Sequence, residues 1–135
     1  MTLNALILIC GIPNAGKTTY SSRYDNVIHL DDVCNYKHCA EIASQTNGEV
    51  VVEGVFYNIR QRKKLLEICN DKSPKICIWM DTPIEECKRR ENAYRRRPSW
   101  IVGDYHNAFE PPTLDEGWDN IIRIIDNGEC GALNN

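Results

Sequence analysis

An α/β fold, with a mostly parallel sheet covered by helices on both faces, is predicted by three observations. Short apolar runs of strand length alternate along the chain with longer stretches of helical pattern. Those runs are apolar at nearly every position rather than at every second one, which marks strands buried on both faces. A glycine-containing segment follows the first run directly, at the strand end where open α/β sheets bind their ligands.

The elements follow in order. Ala5-Leu6-Ile7-Leu8-Ile9-Cys10 is the first strand, and Lys17 to Tyr24 opens a helix after the glycine segment. Val27-Ile28-His29-Leu30 is a short second strand ending at Asp31-Asp32. Residues Val33 to Gln45 are weakly helical, and Asn47-Gly48 breaks them. Glu49-Val50-Val51-Val52-Glu53-Gly54 is a third strand with a β-branched centre. Asn58 can cap a helix over Ile59 to Cys69, whose Leu65, Leu66, Ile68 and Cys69 lie opposite a basic face of Arg60, Arg62, Lys63 and Lys64. Ser73-Pro74 punctuates, and Lys75 to Met80 is a fourth strand ending at Asp81.

Pro83 opens the next helix, with Glu85 and Glu86 near its positive end, and the pattern continues through Lys88, Arg89, Arg90, Arg95, Arg96 and Arg97 to Pro98. Trp100 to Phe109 reads as a short amphipathic helix stopped by Pro111-Pro112. Trp118 to Ile125 reads as the last strand and residues 126–135 as a flexible tail. No repeat or long linker divides the 135 residues, so residues 1–135 form one expected domain.

Composition bounds the function. The formal net charge of −3 provides no overall positive field and counts against extended duplex binding, while leaving room for a local basic groove. No run reaches the length of a membrane span, and the first apolar run lacks a basic flank, so it is read as a strand rather than a signal peptide. The seven cysteines are odd in number and form no C-x-x-C pair. They are read as buried thiols of a cytoplasmic protein rather than a disulfide framework. Cys34, His38 and Cys39 fit no standard zinc spacing.

The chemistry begins at Gly11-Ile12-Pro13-Asn14-Ala15-Gly16-Lys17-Thr18, a full match to G-x-x-x-x-G-K-S/T, the phosphate-binding P-loop. Glycines let the backbone turn its N–H groups inward around a phosphate. Lys17 supplies a mobile charge for the β- and γ-phosphates, and Thr18 a hydroxyl for Mg²⁺. With Thr19 these residues form the expected ATP-binding set, in a P-loop NTPase three-layer sandwich of about five strands.

Three further groups stand where the strands end. Asp31 or Asp32 can accept a proton from an attacking hydroxyl, or simply cap the next helix; Asp31 is the preferred base. Glu53 can hold the metal or be a plain strand end. The basic run 88–97 is either a solvated helix face or a lid closing on the triphosphate, with Arg95 and Arg96 the best candidates to meet transferring charge. Trp100, Tyr105 and Phe109 either stack an acceptor base or pack their helix.

With these residues in view the chain resembles the kinase domain of polynucleotide 5′-hydroxyl kinases of the kinase-phosphatase type. The resemblance rests on the P-loop, on His29-Leu30-Asp31-Asp32, on the run Lys88 to Pro98, and on Phe109-Glu110-Pro111-Pro112-Thr113-Leu114-Asp115-Glu116-Gly117-Trp118 with the apolar residues after it. It implies that Lys17 and Thr18 bind ATP and magnesium, that Asp31 is the general base on a 5′-hydroxyl, and that Arg95 or Arg96 meets the donor phosphates. The chain departs from that family at Leu30 and Cys34, where relatives carry acceptor-side arginines, and at Glu53, where they carry Asp. Three functions follow as expectations: an ATP-dependent kinase of a nucleic-acid 5′-OH, a kinase of a small hydroxyl compound or nucleoside, or an ATP-binding switch without transfer.

Overall fold

The structure, a computed structural model, describes residues 4–30, 36–98 and 100–126. Asp31, Asp32 and Cys34 lie outside the described residues, as does residue 127 onward of the expected tail. The strands are β1 (Leu6–Cys10), β2 (Val27–His29), β3 (Val50–Gly54), β4 (Lys75–Met80) and β5 (Asn120–Ile124). They form one sheet in the order β2-β3-β1-β4-β5, and all four pairings are parallel. The helices are α1 (Lys17–Ser21), α2 (Tyr36–Gln45), α3 (Ile59–Ile68), α4 (Ile84–Tyr94) and α5 (Trp100–Ala108), with a 3₁₀ turn at Leu114–Glu116.

The strand period of two sorts the core. Leu6, Leu8 and Cys10 join Val50, Val52 and Cys77 on one face, against Cys39 and Ala43 of α2 and Leu65 and Leu66 of α3. Ile7 and Ile9 join Val51, Ile78 and Met80 on the other, against Cys87 of α4 and Val102 of α5. Both faces are sealed, which is why the strand runs lack polar alternation. Among the described residues the Cys10, Cys39, Cys69, Cys77 and Cys87 side chains are buried in the core. No helix among them is long and apolar enough to cross a membrane.

Register brings the functional ends together. His29 stands beside Glu53, Ile9 beside Glu53 and Cys10 beside Gly54, so β2, β3 and β1 finish along one edge of the sheet. Leu30, expected as a strand residue, lies just past β2, although its N–H still donates to the Glu53 carbonyl at 2.8 Å.

Two expectations are corrected by ion pairs. Arg62 does not belong to a solvated face of α3: it is completely buried. Its Nε and Nη2 donate to Glu116 Oε1 and Oε2 at 2.8 and 3.1 Å, its Nη1 to the Phe56 carbonyl and its Nη2 to the Glu110 carbonyl, each at 2.7 Å. Burial would raise the Glu116 pKa, but the Arg62 hydrogen bonds outweigh it and hold the carboxyl below its ordinary value. Glu116 also accepts from the Thr113 N–H at 2.9 Å and from Trp118 Nε1 at 3.1 Å. The segment 110–118 is thereby folded down onto α3, and Trp118, expected to begin the last strand, is instead a core residue before it.

The second correction is at the end of α4. The helix stops at Tyr94 rather than running to Arg97, and Arg95 turns to a left-handed φ of 53°. The cause is Glu91, nearly sealed at 2% exposure. Its Oε2 accepts from the backbone N–H groups of Arg96 and Arg97 at 2.7 and 3.0 Å, bonds that pull the chain out of the helical path. The last helix and strand are also slightly shorter than expected, ending at Ala108 and Ile124. Trp100 remains exposed, while Tyr105 packs edge-on against Tyr57 and Phe109 stacks on Trp79.

Candidate active site

The segment between β1 and α1 is a tight loop whose glycines have steric causes. Gly11 has a φ of 156°, and a Cβ there would lie 2.7 Å from the Met80 carbonyl oxygen. Gly16 has a φ of 97°, with Asp126 Oδ2 3.0 Å from where its Cβ would stand. The loop therefore exists in this shape only with glycine at both ends.

Lys17 opens α1 and lies deep in the loop, its Nζ donating to the Ile12 carbonyl at 2.9 Å. Burial lowers its pKa from 10.5 to about 8, against the partial support of the Glu53 carboxylate. A buried ammonium with one neutral partner is a poor resting place for charge and a good one for an arriving anion. Thr18 is exposed beside it.

A cavity of about 1150 Å³ opens over this loop. Its floor includes Pro13, Asn14, Gly16, Lys17, Thr18 and Thr19. One wall is the strand edge, His29, Leu30, Glu53, Gly54 and Val55; the other is Arg89, Arg90 and Tyr94 of α4 with Arg96 and Arg97 of the turn after it, closed by Asp126.

The α4 wall is highly ordered by charge. Arg89 binds both oxygens of Glu86 at 2.8 and 2.7 Å, and Arg90 Nε shares Glu86 Oε2 at 2.7 Å. Hydrogen bonds from Arg89, followed by those from Arg90, hold the Glu86 carboxyl down at about 2 against its burial. Arg90 also reaches the Asn14 carbonyl at 2.8 Å and Asp126 at 2.9 Å. Asp126, expected in the tail, is thus an anchored wall residue. Arg97 pairs with Glu91 Oε1 at 2.6 Å. Burial would raise the Glu91 pKa, but hydrogen bonds from Asn14 and Arg97 prevail and bring it to about 2.

Of the two expected lid arginines, Arg96 lines the cavity and Arg95 is exposed outside its lining. Arg90 and Arg97, which sequence reasoning had not singled out, line it as well. For Arg97 the signal was Glu91, the one carboxylate inside the cationic run 88–97, whereas the carboxylate partners of Arg90, Glu86 and Asp126, lie outside that run. On the strand wall Glu53 is buried and its Oε1 lies 2.7 Å from His29 Nδ1. Asp31 follows Leu30 of this wall but lies outside the described residues.

The oxygen donors present fit a hard divalent cation. The Thr18 hydroxyl and the Glu53 carboxylate line one cavity. No group of three His, Cys, Asp or Glu side chains suited to a metal occurs among the described residues.

Similarity to solved structures fixes the architecture. Kti12 of Chaetomium thermophilum, solved in complex with ADP-AlF3, superposes with a TM-score of 0.69 at 13% identity, covering 96% of this chain and 93% of that one. A gluconokinase from Sinorhizobium meliloti 1021 gives 0.65 at 15% identity over 93% and 84%. This chain has the P-loop kinase fold. A fungal RNA kinase gives a TM-score of 0.69 at 13% identity over 98% of this chain, which spans only 41% of that one. No protein-family model matches the chain.

Proposed function

We propose that the chain is an ATP-dependent kinase that transfers the γ-phosphoryl group to a hydroxyl, with a nucleic-acid 5′-OH as the leading acceptor. The observation that carries this is one cleft holding the phosphate loop, a wall of arginines and the ends of β2 and β3. A triphosphate laid on the loop meets Lys17 from below and Arg90, Arg96 and Arg97 from the side. The γ-oxygens, over which charge spreads during transfer, then face fixed guanidinium groups. Thr18 and Glu53 would hold a magnesium ion, which would supply further positive charge beside the phosphates. Asp31, one residue beyond Leu30, takes the proton of the attacking hydroxyl. The fungal RNA kinase of like fold is consistent with a polynucleotide acceptor.

A second reading, a small hydroxyl compound as acceptor, is favoured by the strand wall itself. Leu30, Gly54 and Val55 give this wall a small apolar surface beside the His29–Glu53 hydrogen bond. The gluconokinase of like fold acts on such a compound by its name. Labelled ATP and Mg²⁺ offered with a 5′-OH oligonucleotide and a panel of nucleosides, sugars and small alcohols decide between the two. Label on the oligonucleotide is the expected result. Label on a small molecule alone replaces the leading acceptor, and ATP binding with no transfer to any acceptor overturns the kinase reading.

A further inference from the structure

Asn14 stands in the middle of the phosphate loop with a left-handed φ of 69°, a conformation asparagine tolerates better than most residues. Every polar atom of its side chain is engaged by α4 or the turn after it. Oδ1 accepts from Arg96 Nη2 at 3.2 Å and from Arg97 Nη1 at 3.1 Å. Nδ2 donates to Glu91 Oε1 at 3.0 Å and to the Cys87 carbonyl at 3.2 Å. One neutral amide therefore ties the phosphate loop to both arginines and to the carboxylate that shapes their turn.

The chemistry of that amide matters. Its Nδ2 supplies the donor to Glu91 that a carboxylate lacks, and its oxygen holds the guanidinium groups by weaker bonds than a carboxylate would make. A phosphate oxygen, fully charged, is the better acceptor and can displace it. Glu91 remains the buried anchor of Arg97, whose Nη1 pairs with it at 2.6 Å.

We propose that Asn14 is a positioning residue: it holds Arg96 and Arg97 over the phosphate loop before a donor arrives and releases them to the terminal phosphate of a nucleoside triphosphate. This rests on the reading of the cleft as a triphosphate site. A diphosphate, lacking the group that receives the arginines, leaves them on Asn14. The residue thus contributes to the preference for triphosphate over diphosphate.

Two variants test this with readouts that do not need an acceptor. Asn14→Gly keeps the positive φ and removes the amide. Trypsin should then cut after Arg95 or Arg96 about tenfold faster in nucleotide-free protein, and the ratio of ATP to ADP affinity should fall by about tenfold, the scale of one charge-assisted hydrogen bond. Asn14→Asp puts a carboxylate oxygen in place of the donor that now meets Glu91 at 3.0 Å, so it too should lose the protection from trypsin and the preference for ATP. Unchanged cutting in Asn14→Gly, an equal loss of ATP and ADP affinity in it, or a wild-type ATP preference in Asn14→Asp would each overturn the proposal. If Asn14→Gly fails to fold, the Asn14→Asp ratio decides. A wild-type protein that binds neither nucleotide would instead remove the triphosphate reading, while the trypsin comparison still measures whether Asn14 holds the lid.

Discussion

Two arginine networks in this molecule are built from the same parts and do opposite things. Arg62 is completely buried, and its guanidinium bonds only to a carboxylate and two backbone carbonyls that the fold supplies permanently. Arg96 is exposed at the cleft, and its guanidinium rests on a neutral amide. The difference lies in what a ligand can displace. Nothing that enters the cleft can compete for Arg62, whereas a phosphate is a better partner for Arg96 than Asn14 is. The first network therefore holds the fold, and the second is available for chemistry.

Separate consequences follow if this contrast is right, and the largest is expected at the lid. Arg96→Ala should lower the rate of phosphoryl transfer by ~10³-fold, the low end for an arginine that meets transferring charge. Its thermal midpoint should stay within about 2 °C of wild type, as for a surface change. Steady-state kinetics and a thermal melt on one preparation check both halves. A loss of stability matching the loss of rate would erase the distinction between the networks.

Glu116→Ala is the converse. It leaves Arg62 charged, buried and unpaired, which should destabilise the fold by about 3–5 kcal/mol. Urea unfolding measures this, and transfer by the folded fraction should remain near wild type. Replacing Arg62 and Glu116 together by apolar residues should recover only part of the loss: the unpaired charge is gone, but the Phe56 and Glu110 carbonyls, the Thr113 N–H and Trp118 Nε1 lose their partners.

The smallest effect concerns Lys17, whose folded pKa of about 8 lies below its ordinary 10.5. Below pH 8 both folded and unfolded chains carry the proton, and the fold bears the burden of a buried charge. Between about 8 and 10.5 the unfolded chain holds more protons, so stability rises with pH across that window. The rise attributable to this group is on the order of 3 kcal/mol at most. Lys17→Met should be more stable than wild type at pH 7 and should lose this rise. A parallel pH profile in both proteins would contradict the burial of the charged group.

Much of this was legible in the chain. The five strands, the loop between Gly11 and Thr18 and the Asn58 cap are local signals, and the cap forms as expected, with Asn58 Oδ1 accepting from the Gln61 N–H at 2.8 Å. What escaped depends on partners far away in sequence. Arg62 reads as a solvated cation because the carboxylate that buries it lies 54 residues further on. The helix before Arg95 reads as continuous because helical periodicity says nothing of a buried Glu91 capturing the next N–H groups. The stretch from Phe109 to Trp118, one of the four that carry the resemblance, packs around Arg62 through the Glu110 carbonyl and the Glu116 carboxylate. On the strand wall of the cleft, proximity of His29 to Glu53 follows from strand register, which no single strand's sequence reveals.

The account's central claim is that this cleft transfers phosphate rather than merely holding a nucleotide, and Asp31→Asn tests it most directly. ATP binding by calorimetry and transfer of label from γ-labelled ATP are measured on the same protein beside wild type. Affinity within about threefold of wild type, with transfer slowed ~10²–10⁴-fold, is the predicted result for loss of a general base. Transfer at the wild-type rate in the variant would contradict the role of Asp31, and no transfer by the wild-type protein to any acceptor would contradict the claim itself.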